Sequence, residues 1–83
     1  MTKFVRRSSK RDVESNKKLN NFLSNREIEI VYWISSGKSD WEISQILGIS
    51  PKTVNYHVEN VKKKYAVSTR IQAIVAVVKD GLI

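Results

Sequence analysis

Between Pro51 and Tyr65 the residues Val54, Val58, Val61 and Tyr65 recur at spacings of four, three and four, and this leaves the chain few choices. Such a stripe is the packing side of an amphipathic helix. Ser50 precedes it as an N-cap, and Pro51 takes the first helical position, where its missing N–H removes no bond. Upstream, Ser39 and Glu42 form the S-x-x-E signature of a capping box. Ile43, Ile46 and Leu47 then fall on one face of a short helix, and Gly48 ends it because glycine accepts a positive φ at little cost. The spacing thus predicts a short helix, a tight turn and a longer helix.

The longer helix carries the more specific information. At about 100° per residue, Lys52, Asn55, Tyr56, Glu59 and Lys63 lie opposite the valine stripe. Asn, Tyr, Glu and Lys are side chains that can address base edges and phosphates in a major groove, and the arrangement is that of a helix-turn-helix. The competing reading is a polar helix face that only meets water, and periodicity alone does not separate the two.

The residues themselves resemble the DNA-binding domain of the LuxR/GerE family of bacterial transcription factors. The match includes Arg26-Glu27 with Glu29, Gly37-Lys38-Ser39, Glu42-Ile43, Ile46-Leu47, Ile49-Ser50, Thr53-Val54, His57, Asn60, Lys64, Arg70, Gln72-Ala73 and Gly81-Leu82-Ile83. Many residues at fixed spacing are far more specific than one short motif. The resemblance implies an all-α, four-helix domain over 21–83 that binds double-stranded DNA as a homodimer. It also implies base-reading positions at Asn55, Tyr56 and Glu59. Trp41 followed by Glu42-Ile43 is closer to the quorum-sensing branch than to the response-regulator branch.

The 83 residues allow one small domain, and the absence of cysteine rules out disulfides and thiolate zinc sites as braces. No apolar run approaches the ~20 residues that span a bilayer, so a cytoplasmic protein without a membrane partner is expected. The +7 net charge is unevenly placed. Residues 1–18 hold seven basic side chains (Lys3, Arg6, Arg7, Lys10, Arg11, Lys17, Lys18) against Asp12 and Glu14. Residues 1–20 therefore read as a basic N-terminal arm or linker, disordered or weakly helical, that tethers the domain or adds phosphate attraction. In the domain, the basic residues cluster at Lys62, Lys63 and Lys64.

Lys52, Thr53, His57, Lys62, Lys63 and Lys64 are the phosphate-contact candidates, which fix register without reading sequence. Asn55 can bond adenine bidentately, Glu59 can accept from cytosine N4, and Tyr56 can meet a thymine methyl or a phosphate. Phosphates repel a carboxylate, so the alternative for Glu59 is to organise a neighbouring lysine. His57, without cysteine or a second histidine, cannot assemble a metal site or a catalytic pair, and neither cofactor nor enzymatic chemistry is implied.

Two further helices frame this pair. Ser24 and Glu27 form another capping box, with Leu23 stapled onto Ile28, and the helix continues to about Ser36. It is apolar almost all round; the resemblance assigns Ile30, Val31 and Ile34 to the core. A last helix from Ser68 or Thr69 is expected to turn Ile71, Ile74, Val75 and Val78 inward. That leaves Ala73, Ala76 and Val77 as a small apolar strip, which the resemblance implies is the dimer interface. Trp41 is expected to be exposed, open to the DNA backbone, RNA polymerase or a sensor domain outside the chain, or else to pack on Tyr32. The chain reads as an excised effector domain or a naturally short regulator. The alternative function is protein–protein pairing with a full-length relative.

Overall fold

A computed structural model describes residues 22–83, so the arm expected over residues 1–20 lies outside the described residues. Among the described residues there are four helices and no strand: α1 (Asn25–Ser35), α2 (Asp40–Leu47), α3 (Pro51–Tyr65) and α4 (Arg70–Lys79). Each begins where a side chain satisfies a free N–H. Ser24 and Glu27 cap each other reciprocally, with the Glu27 N–H donating to Ser24 Oγ at 3.0 Å and the Ser24 N–H to Glu27 Oε1 at 2.8 Å. Ser39 and Glu42 repeat the box on α2, and Thr69 and Gln72 form a third on α4. Ser50 caps α3 by accepting the Thr53 N–H at 3.0 Å, with Pro51 next in sequence.

The turn between α2 and α3 needs one left-handed residue, and Gly48 supplies it at φ 70°. Its N–H and that of Ile49 both donate to the Ser44 carbonyl, which closes the end of α2. The end of α3 uses the same geometry with a residue less suited to it. Ala66 sits at φ 56°, where its Cβ crowds the backbone.

The valine stripe of α3 is divided between two hydrophobic clusters. Val54 and Val58 join Ile30 of α1 and Ile43 of α2, with Trp33, Ile34, Leu47 and Ile49 around them. Val61 joins Leu23, Val31, Ala73, Val77, Leu82 and Ile83. The N-terminal half of α3 is thus held by α1 and α2, and its C-terminal half by α1, α4 and the last residues of the chain. Burying each valine contributes about 1.5–3 kcal/mol.

Two expected orientations are corrected. Ile46, expected on the inner face of α2, is 45% exposed, and Ile43 and Leu47 do the packing. On α4 the expected faces are exchanged. Ala73 and Val77 are buried, while Ile71, Val75 and Val78 are exposed and Ile74 is half-buried. The physical reason is that α4 is apolar nearly all round, so its pattern cannot select a face. Packing selects the side with the small Ala73.

Candidate nucleic-acid interface

With its valines turned inward, α3 presents Lys52, Asn55, Tyr56 and Lys63 as exposed side chains on its outer side, with Tyr56 62% exposed. Lys52 and Lys63 have no ion-pair partner among the described residues. Both charges therefore remain available to an anion. The Tyr56 and His57 rings meet edge to face at 5.5 Å. This contact restrains Tyr56 from one side and leaves its other side open.

The remaining sequence candidates are placed differently. Thr53 Oγ1 lies 2.9 Å from Ser50 Oγ, so its hydroxyl belongs to the cap of α3. His57 is half-buried, and its Nδ1 is buried with no hydrogen-bond partner among the described residues. Glu59 Oε2 accepts a hydrogen bond from Lys62 Nζ at 2.9 Å, so these two candidates pair with one another. Lys64 is tied to another helix. It leaves the outer face for α1, where its Nζ donates to Glu27 Oε1 at 2.8 Å. It follows Val61 by one helical turn and lies on the border of the packed side, so its charge is paired within the fold while the residue stays exposed.

The dimer-interface candidates are placed as follows. Ala73 and Val77 are inside the domain, and Ala76 is half-buried. The exposed apolar line on α4 is Ile71, Val75 and Val78, spaced by four and three, with Ile71 72% exposed. Trp41 is 63% exposed on α2, as its position opposite Ile43 predicts.

Three polar ties that sequence reading does not pair hold this surface. The first is Glu27 with Lys64. Burial alone would raise the Glu27 carboxyl, but hydrogen bonds from Lys64 and Ser24 and the Lys64 charge outweigh it and hold the pKa below the usual carboxylate range. The second is Arg70 on Asp40, two bonds of 2.6 and 3.1 Å that join the start of α4 to the start of α2. The Asp40 bonds raise the Arg70 guanidinium above its ordinary value despite partial burial, and the charges of Asp40 and Glu59 add to this. The third is Tyr65 Oη donating to Asp80 Oδ2 at 2.8 Å across the ends of α3 and α4. Burial, followed by this carboxylate, pushes the Tyr65 phenol well above its usual range. The first two pairs span 37 and 30 positions of sequence, so no local pattern announces them.

The arrangement sets the hydrogen-bonding groups of Asn55 and Tyr56 and the positive charges of Lys52 and Lys63 on one exposed side of α3. No group of side chains among the described residues could hold a metal ion. No helix among them is long and apolar enough to cross a membrane.

Comparison with known proteins gives the lineage of this surface. The chain is 47% identical over 64 residues to the transcriptional activator protein SolR of Ralstonia solanacearum, covering 77% of this chain and 27% of that protein. It is 42% identical over 69 residues to the transcriptional activator protein LuxR of Aliivibrio fischeri, covering 83% of this chain and 28% of that one. For the transcriptional activator protein AhyR of Aeromonas hydrophila the figures are 44% over 61 residues, 74% and 24%. The chain thus spans about a quarter of the length of the curated relatives it matches. Residues 21–77 match the GerE family, described as bacterial regulatory proteins, luxR family. With α2 and α3 forming the helix-turn-helix and a family match over most of its length, the chain belongs to the luxR family of bacterial regulatory proteins.

Proposed function

We propose that this domain binds double-stranded DNA sequence-specifically and regulates transcription, with α3 lying in the major groove. The observation that carries this reading is the open outer side of α3, where Asn55 and Tyr56 stand between Lys52 and Lys63, neither lysine with an ion-pair partner among the described residues. Asn55 and Tyr56 address base edges, while Lys52 and Lys63 meet phosphates and fix the register of the helix. His57 and Thr53, half-buried at the flank, sit beside the phosphate ridge. Relatives named transcriptional activator proteins support regulation of transcription as the setting.

The functional unit on DNA is a homodimer paired through Ile71, Val75 and Val78 of α4, and its half-sites lie about one helical turn apart. Trp41 on α2 offers the bound dimer a surface for RNA polymerase or for a sensor domain outside this chain. Selection of binding sites from random duplexes at physiological salt tests the reading. It should recover an inverted repeat, and recovery of unselected sequence would overturn it.

The exposed α4 line favours a second reading, a regulator that acts mainly by pairing with a full-length relative. Val75→Glu separates the two. Under direct DNA reading the variant loses pairing and keeps half-site binding, whereas under the second reading it binds no duplex once pairing is lost.

A further inference from the structure

Glu59 stands on the outer side of α3, one turn beyond Asn55, yet its carboxylate is already engaged. Its Oε2 takes a 2.9 Å hydrogen bond from Lys62, and Lys62 is the more covered partner, at 21% side-chain exposure against 46% for Glu59. Glu59 also lies within electrostatic reach of Arg70, whose guanidinium is fixed by two bonds to Asp40. A carboxylate bonded to Lys62 would have to leave it to reach cytosine N4, and would then lie between two rows of phosphates.

Lys62, Lys63 and Lys64 look like three equivalent phosphate contacts in the sequence. In the fold they are three different groups. Lys64 is bound to Glu27 and Lys62 to Glu59, which leaves Lys63 unpaired among the described residues. Attraction to phosphate is independent of sequence, so each lysine on this face strengthens binding to every duplex alike. Discrimination is the difference between two affinities, from which a shared phosphate contact cancels; what such a contact raises is the hold on every duplex, non-specific ones included.

We propose that Glu59 is a positioning residue that holds Lys62 away from the DNA phosphates and so limits sequence-independent affinity, leaving base reading to Asn55 and Tyr56. This rests on the reading of α3 as the DNA-reading helix. Releasing Lys62 adds one phosphate contact, which changes the slope of log K against log salt by about 0.9, or roughly three-fold in affinity between 50 and 200 mM.

The test is fluorescence anisotropy of the full chain on its selected duplex and on a random duplex over a salt series. Glu59→Gln should tighten both by about three-fold or more at low salt, steepen the slope by about one unit and leave the ranking of base-substituted duplexes unchanged. Adding Lys62→Met to Glu59→Gln should remove the gain. Adding Lys79→Met, an equal change of charge at an exposed position on α4, should leave it. Relaxed preference at a single base pair with an unchanged slope would make Glu59 a base reader and overturn the proposal. Equal loss in the two double variants would overturn the assignment to Lys62. A wild-type chain with no salt-dependent duplex binding would instead remove the DNA-binding reading underneath.

Discussion

One carboxylate oxygen of Glu27 accepts hydrogen bonds from the Ser24 N–H and from Lys64 Nζ, both at 2.8 Å. The same atom therefore caps α1 and ties it to the end of α3. Its pKa is lowered by these partners, so the stabilisation is complete above the unfolded value of about 4.3 and is lost as pH falls through the folded value. Glu27→Gln should lower stability by about 1–2 kcal/mol at pH 7. The gap from wild type should narrow in urea unfolding at pH 3, and an equal gap at both pH values would contradict this account. On the outer face, Asn55→Ala should cost about 1–3 kcal/mol of binding and relax preference at one base pair, read from a panel of substituted duplexes. Lys63→Ala should weaken all duplexes alike and flatten the salt slope by about one unit.

Among the elements, α4 shows most clearly how little a helix apolar on all sides says about its own orientation. Residues Ile71 to Val78 place aliphatic groups on nearly every side, so hydrophobicity alone leaves the buried face open. The fold buries Ala73 and Val77, and Ile71, Val75 and Val78 form the exposed line. Val77→Glu, at 0% exposure, should unfold the domain, since an unpaired buried charge costs several kcal/mol. Val75→Glu should keep the melting temperature within a few degrees and reduce self-association in sedimentation experiments. The reverse pattern would return the sequence-based assignment of the interface. The α2–α3 unit was better determined, because its caps, its turn glycine and its valine stripe all agree.

For the whole molecule, α3 is the shared wall of two small cores, and the chain's last residues complete one of them. Leu82 and Ile83 are 7% and 8% exposed and pack with Leu23, Val31 and Val61. In a domain of this size stability is a small margin, so two apolar side chains are a large share of it. Removing Leu82 and Ile83 should destabilise the domain by about 3–5 kcal/mol, read as a lower urea midpoint, and weaken DNA binding through loss of folded protein. A midpoint unchanged from wild type would show that Val31 and Val61 are covered in another way.

Local chemistry was legible in the residues themselves: the Ser24–Glu27 and Ser39–Glu42 boxes, Pro51 after Ser50, Gly48 in the turn, and the opposition of Val54, Val58 and Val61 to Lys52, Asn55, Tyr56 and Lys63. These depend on bonds and periodicities within one or two helical turns, which a linear chain records. Tertiary packing decided what such spacing cannot carry. It turned Ala73 and Val77 inward, drew Lys64 to Glu27 and joined Arg70 to Asp40 across distant positions. Pairing over such separations depends on which helices come together, and the energy that chooses among them belongs to the assembled core.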